Sequence, residues 1–125
     1  MNYTKINLHC HSNYSDGKKS INQIVVKALK IGLDYLAITD HFTNSWKSRV
    51  IPTLNSFEKI DNYLEEISNC QHYLKLHSKN LQLYKGIEID LGSSDQFIKH
   101  LINPSFSYYL ILIYKFIWKI KVYLF

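Results

Sequence analysis

At 125 residues the chain has room for one small domain and falls well short of the roughly 250 residues of a complete eight-unit barrel. A hydrophobic share of 46% is ample for a core. Its net charge of +5 comes from 15 Lys and Arg against 10 Asp and Glu scattered along the sequence, which argues against a nucleic-acid groove, because such a groove needs a clustered basic patch.

The first five residues, Met1 to Lys5, lack the apolar stretch of a secretory signal, so a cytoplasmic location is expected. Ile6 and Leu8 alternate with Lys5, Asn7 and His9 and predict a first strand running into His9-Cys10-His11. Strand periodicity is two, so His9 and His11 share a face and can grip one cation, while Cys10 faces the other way as a small packing residue. Cys70 is sixty positions further on, and the two cysteines imply no disulfide framework. Ser12 to Lys19 is turn chemistry around Asp16-Gly17, and here Ser12 and Tyr14 are expected to serve the turn itself rather than to touch a substrate.

Ser20 offers a helix N-cap, Ile24, Val25, Ala28 and Leu29 follow at helical spacing, and Gly32 supplies the stop. The apolar run Leu33 to Thr39 has the pattern of a buried parallel strand and ends in Asp40-His41. Asp40 is either a ligand itself or orients His41 by accepting its second ring proton, and the orienting role is the one expected. Asn55-Ser56-Phe57-Glu58 predicts a capping box for a longer second helix lined by Phe57, Ile60, Leu64, Ile67 and Leu74. His72, His77 and His100 have no partner at ligand spacing and are expected to be surface or packing residues. A third strand over Leu81 to Ile89 carries Gly86 and Glu88, with Asp90 expected in the loop beyond. From Phe106 onward the sequence is aromatic and apolar, interrupted by Lys115, Lys119 and Lys121, and is expected to form one or two strands or a tail rather than a membrane span.

Strand, helix, strand, helix, strand predicts parallel βαβ units, in which ligands sit beyond the carboxyl ends of the strands. His9, His11, Asp16, His41 and Glu88 all fall at or near those ends. Imidazoles and carboxylates converging there suit Zn, Mn or Fe alike.

At these residues the chain resembles the polymerase and histidinol phosphatase (PHP) superfamily. Its opening motif is met as His9-Cys10-His11-Ser12 with Ser15-Asp16-Gly17, its second as Thr39-Asp40-His41, and its third as Gly86-Ile87-Glu88-Ile89-Asp90. Asn62 to Ile67, leading to that third motif, is most similar to the monofunctional histidinol-phosphatase branch. The resemblance implies an α/β fold, the N-terminal part of a distorted barrel of seven βα units, with residues 1–105 a partial metal-dependent hydrolase domain and 106–125 a divergent apolar tail. It also implies up to three divalent metal ions, His9 and His11 on one, Glu88 bridging to a second, and Asp16 with His41 on the third. The activity implied is hydrolysis of a small phosphate ester, histidinol phosphate in histidine biosynthesis, with no nucleic-acid or membrane partner. The family's later histidines and closing Asp-x-His motif have no counterpart before Phe125, so the chain is expected to be a C-terminally truncated piece carrying about half of the ligand set. A non-catalytic fragment that binds a metal, or a partner chain through an open sheet edge, and a polymerase-type module are the alternative readings.

Overall fold

A computed structural model describes residues 3–43, 52–90, 99, 110–116 and 119–124. Two helices alternate with the first three of five strands: β1 (Ile6–Asn7), α1 (Ile21–Ile31), β2 (Tyr35–Phe42), α2 (Phe57–Leu76), β3 (Gln82–Asp90), β4 (Leu110–Phe116) and β5 (Lys119–Leu124). The strands form one sheet in sequence order. Pairing is parallel from β1 through β4, and β5 returns antiparallel to β4. Among the described residues the sheet is open, in keeping with part of a PHP barrel. The apolar C-terminal stretch thus contributes two strands, and Lys115 pairs in register with Asp90. Asp90 is the last residue of β3 rather than part of the loop beyond it.

α1 begins and ends where its sequence says it should. The Ser20 side chain accepts from the Gln23 backbone while the Gln23 side chain accepts from the Ser20 backbone, a reciprocal cap. Gly32 closes the helix in the left-handed region at φ 69°, where a Cβ would be strained. The start of α2 differs from expectation. Ser56, not Asn55, is the N-cap, and it accepts from the backbone of Lys59, whose side chain has no acceptor to return the bond. A single cap therefore replaces the predicted box.

β2 is buried on both faces from Leu36 onward, as a central parallel strand must be. Leu36, Ile38 and Phe42 pack with Leu83, Ile87 and Ile89 of β3 beneath the helices, against Ile21, Ile24, Val25 and Ala28 of α1 and Ile60, Leu64, Ile67 and Leu74 of α2. Phe57, expected in that helical stripe, is substantially exposed. Tyr63 takes its place: fully buried, its hydroxyl lies 2.9 Å from the Ile38 carbonyl oxygen and 2.7 Å from that of Gly86, and accepts from the Asp40 backbone N–H at 3.2 Å. It thus ties α2 to β2 and β3 just below the strand ends. Tyr63→Phe would strip buried backbone groups of this partner, and a loss of about 1–3 kcal/mol in urea unfolding is expected, at unchanged m-value.

Candidate metal centre

The opposite face of β2 and β3 presents a different chemistry. His41 is the penultimate residue of β2, and Glu88, two residues before the end of β3, is its register partner. Strand alternation places both on the side away from the helices. On β4 the residue in register with Glu88 is Ile113.

β1 is shorter than predicted, and His9-Cys10-His11 runs on past it without forming a ladder. The segment is nonetheless held against β2: the Thr39 N–H donates to the Cys10 carbonyl at 2.7 Å and the Cys10 N–H to the Thr39 hydroxyl at 3.1 Å. The expected parity survives. Cys10 packs against the main core, where burial and the nearby Asp40 carboxylate push its thiol pKa up. His9 and His11 meet on the other side, their Nε2 atoms 2.9 Å apart and each 2.9 Å from Glu88 Oε2.

This triangle of two imidazole nitrogens and one carboxylate oxygen is the core of the site. Its 2.9 Å edges match the spacing of about 3 Å between neighbouring donors on an ion held at roughly 2.1 Å. The far nitrogen of His11 supports the same reading. His11 Nδ1 lies 2.7 Å from Asp16 Oδ1, so a proton on Nδ1 satisfies that carboxylate and leaves the Nε2 lone pair directed at the triangle. Asp16, half exposed, also turns Oδ2 toward His41 Nε2 at 3.5 Å, and His41 Nδ1 lies 3.6 Å from Glu88 Oε2. His11, Asp16 and His41 form a second set of donors close enough to hold an ion. The five residues singled out from the sequence therefore come together at one rim. The donor set fits a divalent metal, and it does not by itself select among Zn, Mn and Fe.

Three other expectations can be set against the structure. Asp40 does not orient His41, since neighbouring strand residues face opposite ways. Its buried carboxylate instead accepts from the Ser12 N–H and from the Ser12 and Ser15 hydroxyls. Ser12 does serve the turn, and its hydroxyl also accepts from the Tyr14 N–H. His72 and His77 lie exposed on α2 and at its end, away from the site, while His100 lies outside the described residues. Neither the bond from Ser15 to Asp40 nor the Tyr63 contacts follow from the sequence. Ser15 had a signal, a small hydroxyl in a tight turn beside the histidine pair, but nothing local showed which carboxylate it would meet.

Charge at the rim is set by these contacts. Burial alone would raise the Glu88 pKa, yet the His11 hydrogen bond and the His41 and His9 charges outweigh it and hold the carboxyl at about 2. Burial likewise opposes charging of His11, but its bonds to Glu88 and Asp16 prevail and lift its pKa above the ordinary 6.5. Burial would raise the Asp16 pKa as well, but the His11 hydrogen bond and the His11 and His41 charges together outweigh it and lower it. A depressed carboxyl stabilises the fold above its ordinary 4.5 and loses that contribution as pH falls toward 2; a raised imidazole stabilises below 6.5 and loses it as pH climbs through its folded value. The metal-free chain is therefore expected to be most stable in weak acid, between these limits, in thermal melts across pH. Metal affinity should run the other way above pH 6 and rise with pH as the imidazoles surrender their protons, with proton release measurable by calorimetry in buffers of different ionisation enthalpy.

A family model described as "PHP domain" matches residues 7–117. The chain belongs to the PHP domain family. A DNA polymerase/3'-5' exonuclease PolX of Bacillus subtilis is 33% identical over 89 residues, which is 70% of this chain and 14% of that protein. The DNA polymerase III subunit alpha of Chlamydia pneumoniae is 33% identical over 101 residues, covering 67% of this chain and 8% of the polymerase subunit. An error-prone DNA polymerase of Cutibacterium acnes is 50% identical over 36 residues, 27% of this chain and 3% of that polymerase. The PHP match thus runs through β4, and the chain spans only a small part of each of these relatives. None of the three bears a histidinol-phosphatase name. No solved structure matches. No helix among the described residues is long and apolar enough to cross a membrane.

Proposed function

We propose that the chain is a metal-dependent phosphoester hydrolase unit of the PHP family, acting on a phosphoester at the 3′ end of a nucleic acid. The observation that carries the metal-dependent reading is the triangle of His9 Nε2, His11 Nε2 and Glu88 Oε2, joined through His11 to Asp16 and His41. Divalent ions bound by these donors would polarise a phosphoryl oxygen and supply a water of lowered pKa. The chain's own residues do the rest. Glu88 and the imidazoles fix the donor positions, Asp16 holds the His11 proton on Nδ1, and the half-exposed Asp16 leaves the rim open to a substrate. Support for the nucleic-acid class comes from the polymerase and 3'-5' exonuclease names of the relatives.

The narrower histidinol-phosphatase reading rests on the likeness of Asn62 to Ile67 and Gly86 to Asp90 to that branch. One assay separates the two. The purified chain with Mn²⁺ or Zn²⁺ is incubated in parallel with a 3′-labelled oligonucleotide, a 3′-phosphorylated oligonucleotide and histidinol phosphate. Release of 3′ nucleotide or 3′ phosphate is the expected result. Phosphate release from histidinol phosphate alone restores the small-ester reading. Metal retention with no turnover on any substrate identifies a binding fragment and refutes hydrolysis by this chain.

A further inference from the structure

The buried side of β2 carries a group that neither the metal-binding donors nor the apolar core accounts for. Asp40 is fully buried beneath the sheet, on the face opposite His41. A carboxylate in such a place is costly unless its oxygens are well supplied with donors. Among the described residues its donors come from one short loop: Ser12 N–H at 2.8 Å and Ser15 hydroxyl on Oδ1, Ser12 hydroxyl at 2.7 Å on Oδ2.

The same loop is wound tightly about Ser12. The Ser12 carbonyl accepts from the Ser15 and Gly17 N–H groups at 3.1 and 2.9 Å, and the Ser15 hydroxyl accepts in turn from the His41 N–H at 3.2 Å. His11 immediately precedes this turn and Asp16 lies within it. The dipeptide Asp40-His41 therefore does two things from adjacent positions: His41 faces the rim, and Asp40 clamps the loop that delivers His11 and Asp16 to it.

We propose that Asp40 is a positioning residue for the metal centre, acting through Ser12 and Ser15 to hold His11 and Asp16 at ligand spacing from His41 and Glu88. The proposal rests on the metal reading above, and the test keeps the two apart. Charge-assisted bonds of this kind orient more strongly than neutral ones, and outer partners of metal ligands are commonly worth 10–100-fold in metal affinity.

The full chain is titrated with Co²⁺, following the visible absorption bands that report ligand number and geometry, and with Mn²⁺ for affinity. Wild type, Asp40→Asn and Ser15→Ala are compared, with far-ultraviolet circular dichroism and melting curves recorded without metal. Asp40→Asn keeps the shape but puts an amide where one of the Ser12 or Ser15 donors needs an acceptor. Expected are affinities reduced by about tenfold or more in both variants and an altered Co²⁺ spectrum, with helix content retained. If Asp40→Asn proves too unstable to fold, the milder Ser15→Ala decides by the same two readouts. Wild-type affinity and spectrum in folded variants, even with a lowered melting temperature, would make Asp40 a latch of the fold alone and overturn the proposal. A wild-type chain that binds neither ion overturns the metal reading and this one with it.

Discussion

Glu88→Gln is expected to lower the affinity of the chain for Mn²⁺ by more than about a hundredfold, a larger effect than any loss of an outer partner. The reason is the position of one oxygen. Glu88 Oε2 is the corner shared by His9 Nε2 and His11 Nε2, and His41 Nδ1 approaches it at 3.6 Å, so the carboxylate lies at the centre of three imidazoles. Glutamine keeps the volume but brings no charge, and its amide presents protons to nitrogens whose lone pairs would bind the ion. The same change should lower the His11 pKa in the metal-free chain, because the Glu88 hydrogen bond is the strongest contribution raising it. Nuclear magnetic resonance of the imidazole protons would read that shift directly. A Gln variant with wild-type metal affinity would remove Glu88 from the ligand set.

Gly17→Ala should be the most damaging single methyl in the first βα loop. A Cβ at this position would stand 2.2 Å from the His11 carbonyl oxygen, 2.5 Å from its carbonyl carbon and 2.7 Å from the Ser12 carbonyl oxygen. These are backbone atoms, so no side-chain rotation relieves the clash, and the turn must open. Opening it breaks the Gly17-to-Ser12 bond and shifts both His11 and Asp16. A loss of about 1–3 kcal/mol in chemical denaturation is expected, together with a fall in metal affinity. Unchanged stability and affinity would mean that the loop tolerates a conformation quite different from this one.

Much of the architecture was legible because local signals agreed with one another. Ser20 and Gly32 bracket α1 as their cap chemistry requires, and the apolar run before Asp40 becomes the doubly buried β2. The rim was legible for a similar reason, since a period of two put His9 beside His11, and motif residues at strand ends put His41 beside Glu88. What escaped depended on contacts between distant segments. Tyr63 reads as an ordinary helix residue until α2 is laid across β2 and β3, where its ring fills the core and its hydroxyl serves three backbone groups. The role expected of Asp40 fails on a fact the sequence already holds: residues adjacent in a strand cannot both face the rim, so its carboxylate does not reach the ring of His41. The start of α2 shows a subtler limit. Asn55 and Ser56 are both good caps by residue type, so local chemistry does not choose between them, and Ser56 takes the position two residues after Leu54 bonds to the His41 carbonyl near the end of β2.

A half-exposed Asp16 carboxylate beside the largely buried His11 and His41 imidazoles leaves the rim open to solution.

Anomalous diffraction from crystals of the chain grown with Mn²⁺ probes the foundation of all this most directly. A peak is expected at coordination distance, roughly 2.0–2.3 Å, from His9 Nε2, His11 Nε2 and a Glu88 carboxylate oxygen together. A chain that crystallises with manganese bound elsewhere, or with His9 and Glu88 apart and no ion between them, would contradict it.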